Sequence, residues 1–244
     1  MRLFDTLPLN RKGRSFVAAV LTAAFAFGMV SAANGIDSIT VFKNSLKNSS
    51  NREEVRQIGG GSCKRGGASK AFRAKVGKRT RECSFRVQMV GRDLEVTASG
   101  RLFKATPEKL RSKAFVAVNL RHAKDGSRYQ LAVYPGSRRF QMRKYLDDGK
   151  VENLAGGKLG NKVKGLNMAN RLSLRAYNDL PGQAVGSARI VARVNGKRVS
   201  VFDDARGGQL KGRDTSFSIG SNGNATGAIG SFVNLSIRVP DPFK

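Results

Sequence analysis

Arginine recurs at a spacing of four in three places: Arg139 and Arg143, Arg171 and Arg175, Arg189 and Arg193. Gln141, Ser173 and Val191 stand midway, and the intervening positions hold Phe140/Met142, Leu172/Leu174 and Ile190/Ala192. In an extended chain alternate side chains point to opposite faces, so each arginine pair lies away from its apolar neighbours. A guanidinium fork matches the two oxygens of a carboxylate or phosphate. If the three segments share one sheet, its outer face is an arginine field that concentrates polyanions, with an attraction that fades as salt rises. These six arginines are the candidate anion- or glycan-binding residues. The plainer reading of the same pattern is a basic solvent face without a ligand.

Other chemistry finds fewer carriers. Retaining glycoside hydrolysis needs two carboxyl groups about 5–5.5 Å apart, which residues at i and i+2 on one strand would supply. The six glutamates are Glu53, Glu54, Glu82, Glu95, Glu108 and Glu152, and none opens an E-x-D-x-E-like run. Asp147-Asp148 and Asp203-Asp204 are adjacent pairs and read as turn or strand-end residues. Calcium at Asp203/Asp204 would need several more oxygens than any nearby loop offers, so no metal site is assigned. The lone histidine, His122, stands beside Arg121 and Lys124 and reads as a surface residue at a strand end. There is no G-x-S-x-G for an acyl-transfer serine and no P-loop among the glycine-rich stretches, so no catalytic residue and no cofactor is implied.

The chain has 244 residues with 45 Lys+Arg against 17 Asp+Glu, a net charge of +28. Hydrophobic residues make up 40%, enough for a sizeable core and too many for a disordered polybasic tail. Met1–Arg14 is basic, Phe16–Val30 is uncharged and apolar, and Val30-Ser31-Ala32 ends the run in small residues. Residues 1–32 therefore read as a secretory signal peptide, with an uncleaved membrane anchor as the rival. Either places the rest of the chain outside the cell, secreted or at the envelope exterior. In that oxidising setting Cys63 and Cys83 are expected to form a disulfide.

Residues 33–61 read as a polar leading segment or tether, with one strand at Ser38–Phe42, and 62–244 as the folded domain, with Ala71–Val76 extended. Alternation predicts strands at Ser84–Val90, Asp93–Phe103, Ala114–Arg121, Arg128–Tyr134, Arg138–Leu146, Asn170–Tyr177, Ser187–Asn195, Lys197–Asp203, Ser216–Ser221 and Gly230–Val239. Turn residues separate them, Asn195-Gly196 being the clearest hairpin. Thr106–Lys113, with Pro107 at its start, is the one helix expected. So many short strands predict an all-β antiparallel sandwich or barrel.

Tyr129–Val133, the basic strand up to Asp148-Gly149, Arg171–Ala176, the Val194-Asn195-Gly196 hairpin and Phe217–Ser221 follow one another in an order that resembles the concanavalin A-like lectin/glucanase superfamily. The resemblance spans roughly Cys83–Pro240 and implies a jelly roll of two curved antiparallel sheets with ligand on or beside the concave face. It implies an exported, non-catalytic domain at the cell envelope that binds an anionic polysaccharide or cell-wall polymer. A glycoside hydrolase of the same superfamily and a structural envelope domain without a ligand are the alternatives. Nucleic acid is the less favoured partner, because the Phe residues fall on core faces rather than on stacking surfaces. A membrane is a partner only through the leader, if that stays uncleaved. With no Trp, Tyr129, Tyr134, Tyr145 and Tyr177 remain as candidate sugar platforms.

Overall fold

The computed structural model describes residues 38–47, 55–58, 61–68, 71–178, 186–205 and 209–240; the expected leader at residues 1–32 lies outside them. Among the described residues, no helix is long and apolar enough to cross a membrane. Ile39–Val239 form one compact unit.

The described strands are β1 (Ser38–Asn44), β2 (Val55–Ile58), β3 (Cys63–Ala68), β4 (Ala71–Val76) and β5 (Glu82–Val90). Next come β6 (Leu94–Leu102), β7 (Ala114–His122), β8 (Arg128–Tyr134), β9 (Arg139–Tyr145) and β10 (Val151–Lys158). The last five are β11 (Asn170–Asn178), β12 (Ala188–Val194), β13 (Lys197–Asp204), β14 (Asp214–Ser221) and β15 (Ile229–Pro240). They build two antiparallel sheets packed as a jelly-roll sandwich. One runs β13-β12-β11-β6-β15-β4-β3, with β1 also on β15; the other runs β10-β9-β8-β7-β14-β5-β2. Every strand expected from alternation forms; in all but the edge strand β13, one face is buried against the opposing sheet.

The strands without that signal are β2, β3 and β10. Each lies at a sheet edge, and β10 is exposed or half-buried on both faces, so no period of two marks it. The segment read as a tether supplies β1 and β2, which pair with β15 and β5. The expected helix shrinks to Glu108–Arg111 (α1), and Pro107 stands before it. Thr106 does not cap it: the Thr106 hydroxyl instead accepts from the backbone N–H of Ile229 at 3.0 Å.

Between the sheets, Phe72 and Phe232 of one meet Phe85 and Phe217 of the other. Phe72 stands 4.7 Å from Phe85 and Phe217 4.7 Å from Phe232, centroid to centroid. Such pairs add about 0.5–1.5 kcal/mol beyond the area they bury. The Cys63–Cys83 disulfide joins β3 to β5 and so links the two sheets. Asn195 and Gly196, at φ 50° and 82°, make the tight hairpin between β12 and β13.

A polar groove on the outer face of the seven-stranded sheet

The outer face of the seven-stranded sheet is polar yet largely buried. From β7 it carries Asn119, from β8 Gln130 and Tyr134, from β9 Gln141 and Arg143, from β14 Ser216 and Ser218, and from β5 Ser84 and Glu82. The side chains satisfy one another. Asn119 Nδ2 donates to Ser218 Oγ at 2.7 Å and Ser216 Oγ at 3.0 Å, while Gln130 Nε2 donates to Asn119 Oδ1 and Glu82 Oε1, both at 3.0 Å. Unpaired buried polar groups are costly, so this network fixes the rotamers of the face.

A groove of about 880 Å³ opens beside that network, lined by Gln141, Arg143, Tyr145, Glu82, Arg128 and Asn222, with Lys78, Arg79 and Arg81 at its rim. The rim is the β4–β5 loop, and hydrogen bonds of its backbone and of the Thr80 hydroxyl hold it in place. Gly77 N donates to Ser62 O at 2.6 Å, Ser62 N to Thr80 Oγ1 at 3.0 Å and Ser221 N to Arg81 O at 3.0 Å. The disulfide begins and ends one residue from Ser62 and Glu82, so it clamps this wall.

Two guanidiniums in the groove have different surroundings. Arg128 Nη2 donates to Glu82 Oε2 at 2.7 Å, and its guanidinium stacks 3.8 Å above the Tyr145 ring. Arg143, 8% exposed, has only neutral partners among the described residues. Its Nη2 donates to Tyr134 Oη at 2.8 Å, to Asn222 Oδ1 at 2.7 Å and to Gln141 Oε1, and its Nη1 to Tyr145 Oη at 3.3 Å. Tyr134 in turn donates to Asn222 at 2.6 Å. Burial, opposed by Arg143, pushes the Tyr134 hydroxyl up to about 12.

Burial alone would raise the Glu82 carboxyl, but the Arg128 guanidinium and hydrogen bonds from Ser218 and Ser84 outweigh it, and the net direction is down. His122 is not the surface residue its neighbours in sequence suggest. Arg121 sits at φ 52°, and the β7–β14 register slips between Asn119 and His122, so a bulge turns His122 onto the buried polar face. There its Nδ1 lies 2.8 Å from Ser216 Oγ, and burial with Arg128 nearby lowers its pKa to about 4.

The six sequence-selected arginines do not share a sheet. Arg139 and Arg143 lie on β9 of the seven-stranded sheet, whereas Arg171, Arg175, Arg189 and Arg193 lie on β11 and β12 of the eight-stranded one. Within each strand these arginines stand opposite the apolar positions, but the order β13-β12-β11-β6 puts β11 in the opposite layer from β9. Of the six, Arg143 lines the groove; Arg139 lies on the same face at an exposed strand end. The tyrosines are not open sugar platforms either. Tyr129, Tyr134 and Tyr177 are 0%, 3% and 1% exposed, and Arg128 covers Tyr145. Glu82, Arg128, Gln130 and Asn222 escaped the sequence reading. The signal was present in β8, where Arg128, Gln130 and Tyr134 alternate against Tyr129, Leu131 and Val133 as a polar series with a defined side.

No family model matches the chain, and no curated protein matches it. Solved structures do share its fold. A protein of unknown function with a galectin-like fold from Bacillus subtilis superposes with a TM-score of 0.57 at 11% identity, covering 85% of this chain and all of its own. The carbohydrate-binding module CBM66 from Bacillus subtilis gives 0.53 at 13% identity, covering 75% of this chain and 94% of that one. The alginate lyase Aly36B gives 0.51 at 11% identity, covering 82% and 96%. At these identities the likeness establishes a galectin-like, jelly-roll β-sandwich.

Proposed function

We propose that this chain is an exported, non-catalytic glycan-binding domain of the concanavalin A-like lectin/glucanase kind, acting at the cell envelope and taking a carboxylate-bearing glycan into the groove over the seven-stranded sheet. The observation that carries the reading is Arg143, a buried guanidinium held by Tyr134, Gln141, Asn222 and Tyr145 with no carboxylate beside it among the described residues. A buried charge without a counter-charge is costly, and an incoming carboxylate supplies one. Lys78, Arg79 and Arg81 at the rim draw a polyanion toward it. The covered tyrosines favour recognition by charge and hydrogen bonds over stacking.

Glu82 is the one carboxylate in the lining, and it is bound to Arg128, which supports a non-catalytic role. The basic, apolar leader and the disulfide support export. A carbohydrate-binding module among the similar folds is in keeping with a glycan ligand.

The test is calorimetric titration with a hexuronate oligomer and its carboxyl-reduced counterpart, at low and at physiological salt, followed by sizing of the recovered oligomer. The expected result is saturable binding of the uronate alone, retained at physiological salt and weakened by Arg143→Gln, with the oligomer intact. Equal binding of the carboxyl-reduced chain overturns the carboxylate assignment, and shortened chains overturn the non-catalytic one.

A further inference from the structure

On the opposite side of the sandwich, the outer face of the eight-stranded sheet carries basic residues in register. Arg193 faces Arg198 on β13 and Ser173 on β11; Arg175 faces Glu95 on β6, which in turn faces Arg238 on β15; Arg171 faces Ser99. Glu95 Oε1 accepts from the Ser173 hydroxyl at 2.5 Å, and Asp203 holds Arg189 through two hydrogen bonds of 2.7 and 2.9 Å. Arg171 and Arg238 have no ion pair among the described residues.

These two arginines share a pocket. The register of β15 against β6 shifts between Val233 and Ser236, where Asn234 adopts φ 55°. Such a bulge bends a strand and opens its ladder. The end of β1 and the residues after it cover the opening, and Asn234 N donates to Ser45 O at 3.1 Å. The result is a pocket of about 400 Å³ lined by Lys43, Arg171 and Arg238 with the hydroxyls of Thr97, Ser99 and Ser236, and without any carboxylate in its lining.

We propose that this pocket is a second anion site, for a tetrahedral phosphate- or sulfate-ester group carried by a polymer or surface. Three cations reach it from three different strands, with hydroxyl donors between them. That arrangement surrounds a tetrahedral oxyanion from several directions, where a single planar fork suits a carboxylate. The site lies on the face away from the Arg143 groove, so the domain binds two anionic groups at once and can bridge two chains. The proposal stands on its own lining residues and does not need the groove to bind a uronate.

The test titrates the full chain with inorganic pyrophosphate and with inorganic sulfate at physiological salt. Saturable binding to either is expected, weakened at least about tenfold by Arg171→Gln with Arg238→Gln and unchanged by Arg143→Gln, as loss of two charge-assisted contacts implies. Hexuronate binding and the melting temperature serve as controls for folding of the double variant; if it melts early, Lys43→Gln replaces it. Short-chain polyphosphate, a sulfated oligosaccharide and phosphatidylglycerol vesicles then separate the sources of the ester. The arm whose binding depends on Arg171 and Arg238 identifies the source. No saturable binding, or binding that survives both variants, overturns the proposal, whatever the outcome at Arg143.

Discussion

Lys144 Nζ lies 2.9 Å from Asp204 Oδ2, and both side chains are 6% exposed. Lys144 belongs to β9 and Asp204 to the end of β13, so the pair joins the two sheets across the sandwich. Asp204 also accepts from the Tyr129 hydroxyl, which itself accepts from Leu210 N at 3.2 Å. Removing one member of a buried pair strands the other charge at a cost of about 3–5 kcal/mol. Lys144→Met is therefore expected to lower unfolding free energy by about that amount in urea. Lys144→Met with Asp204→Asn, which keeps an acceptor for Tyr129, should cost less than the single change. Equal losses would mean the ion pair contributes little.

Arg143 separates stability from binding. Tyr134 keeps Asn222 as acceptor when the guanidinium goes, and a charge with no counter-charge leaves with it. Arg143→Gln is expected to change unfolding free energy by less than about 1 kcal/mol while weakening hexuronate binding about ten- to a hundredfold. Paired denaturation and calorimetry read both.

The His122 environment sets a pH dependence. Its pKa falls from 6.5 to about 4 on folding, so the unfolded chain binds more protons between those values. Stability is then full above about pH 6.5 and falls as pH drops toward 4, by about 3 kcal/mol for the whole shift. Glu82, also lowered, adds a further loss below its ordinary 4.5. Denaturation curves at pH 7 and pH 4 should show this loss, and His122→Gln should remove its upper part. A wild-type curve flat between those pH values would contradict the buried neutral imidazole.

Cys63 and Cys83 close a loop of 20 residues that contains the rim cations Lys78, Arg79 and Arg81. Loop-closure entropy puts the crosslink at about 3 kcal/mol. Cys63→Ser with Cys83→Ser is expected to lower stability by about that much and to weaken hexuronate binding, because the rim loses its clamp. Unchanged affinity would show that the hydrogen bonds of Ser62, the Thr80 hydroxyl and Ser221 hold the rim unaided.

Strand-level pattern was readable because burying one face imposes a period of two on the sequence: Arg128–Tyr134 and Phe217–Ile219 carry it openly. It was not readable at β10, an edge strand wetted on both faces, nor at β2 and β3, where pairing partners decide the structure. The short helix shows the same limit, since Thr106 found a better partner in Ile229 than in the first turn of α1.

For the site, the sequence by itself determined that arginine and glutamine side chains stand opposite the apolar face of β9, and the export reading made a disulfide of Cys63 and Cys83 the expectation. Only the tertiary structure decided which layer each strand joins. Local alternation fixes the direction of a side chain relative to its own strand, whereas sheet membership depends on hydrogen bonds between residues far apart in the chain. That long-range pairing put Arg143 among neutral partners above a groove, moved Arg171 to the other face beside Arg238, and turned His122 inward.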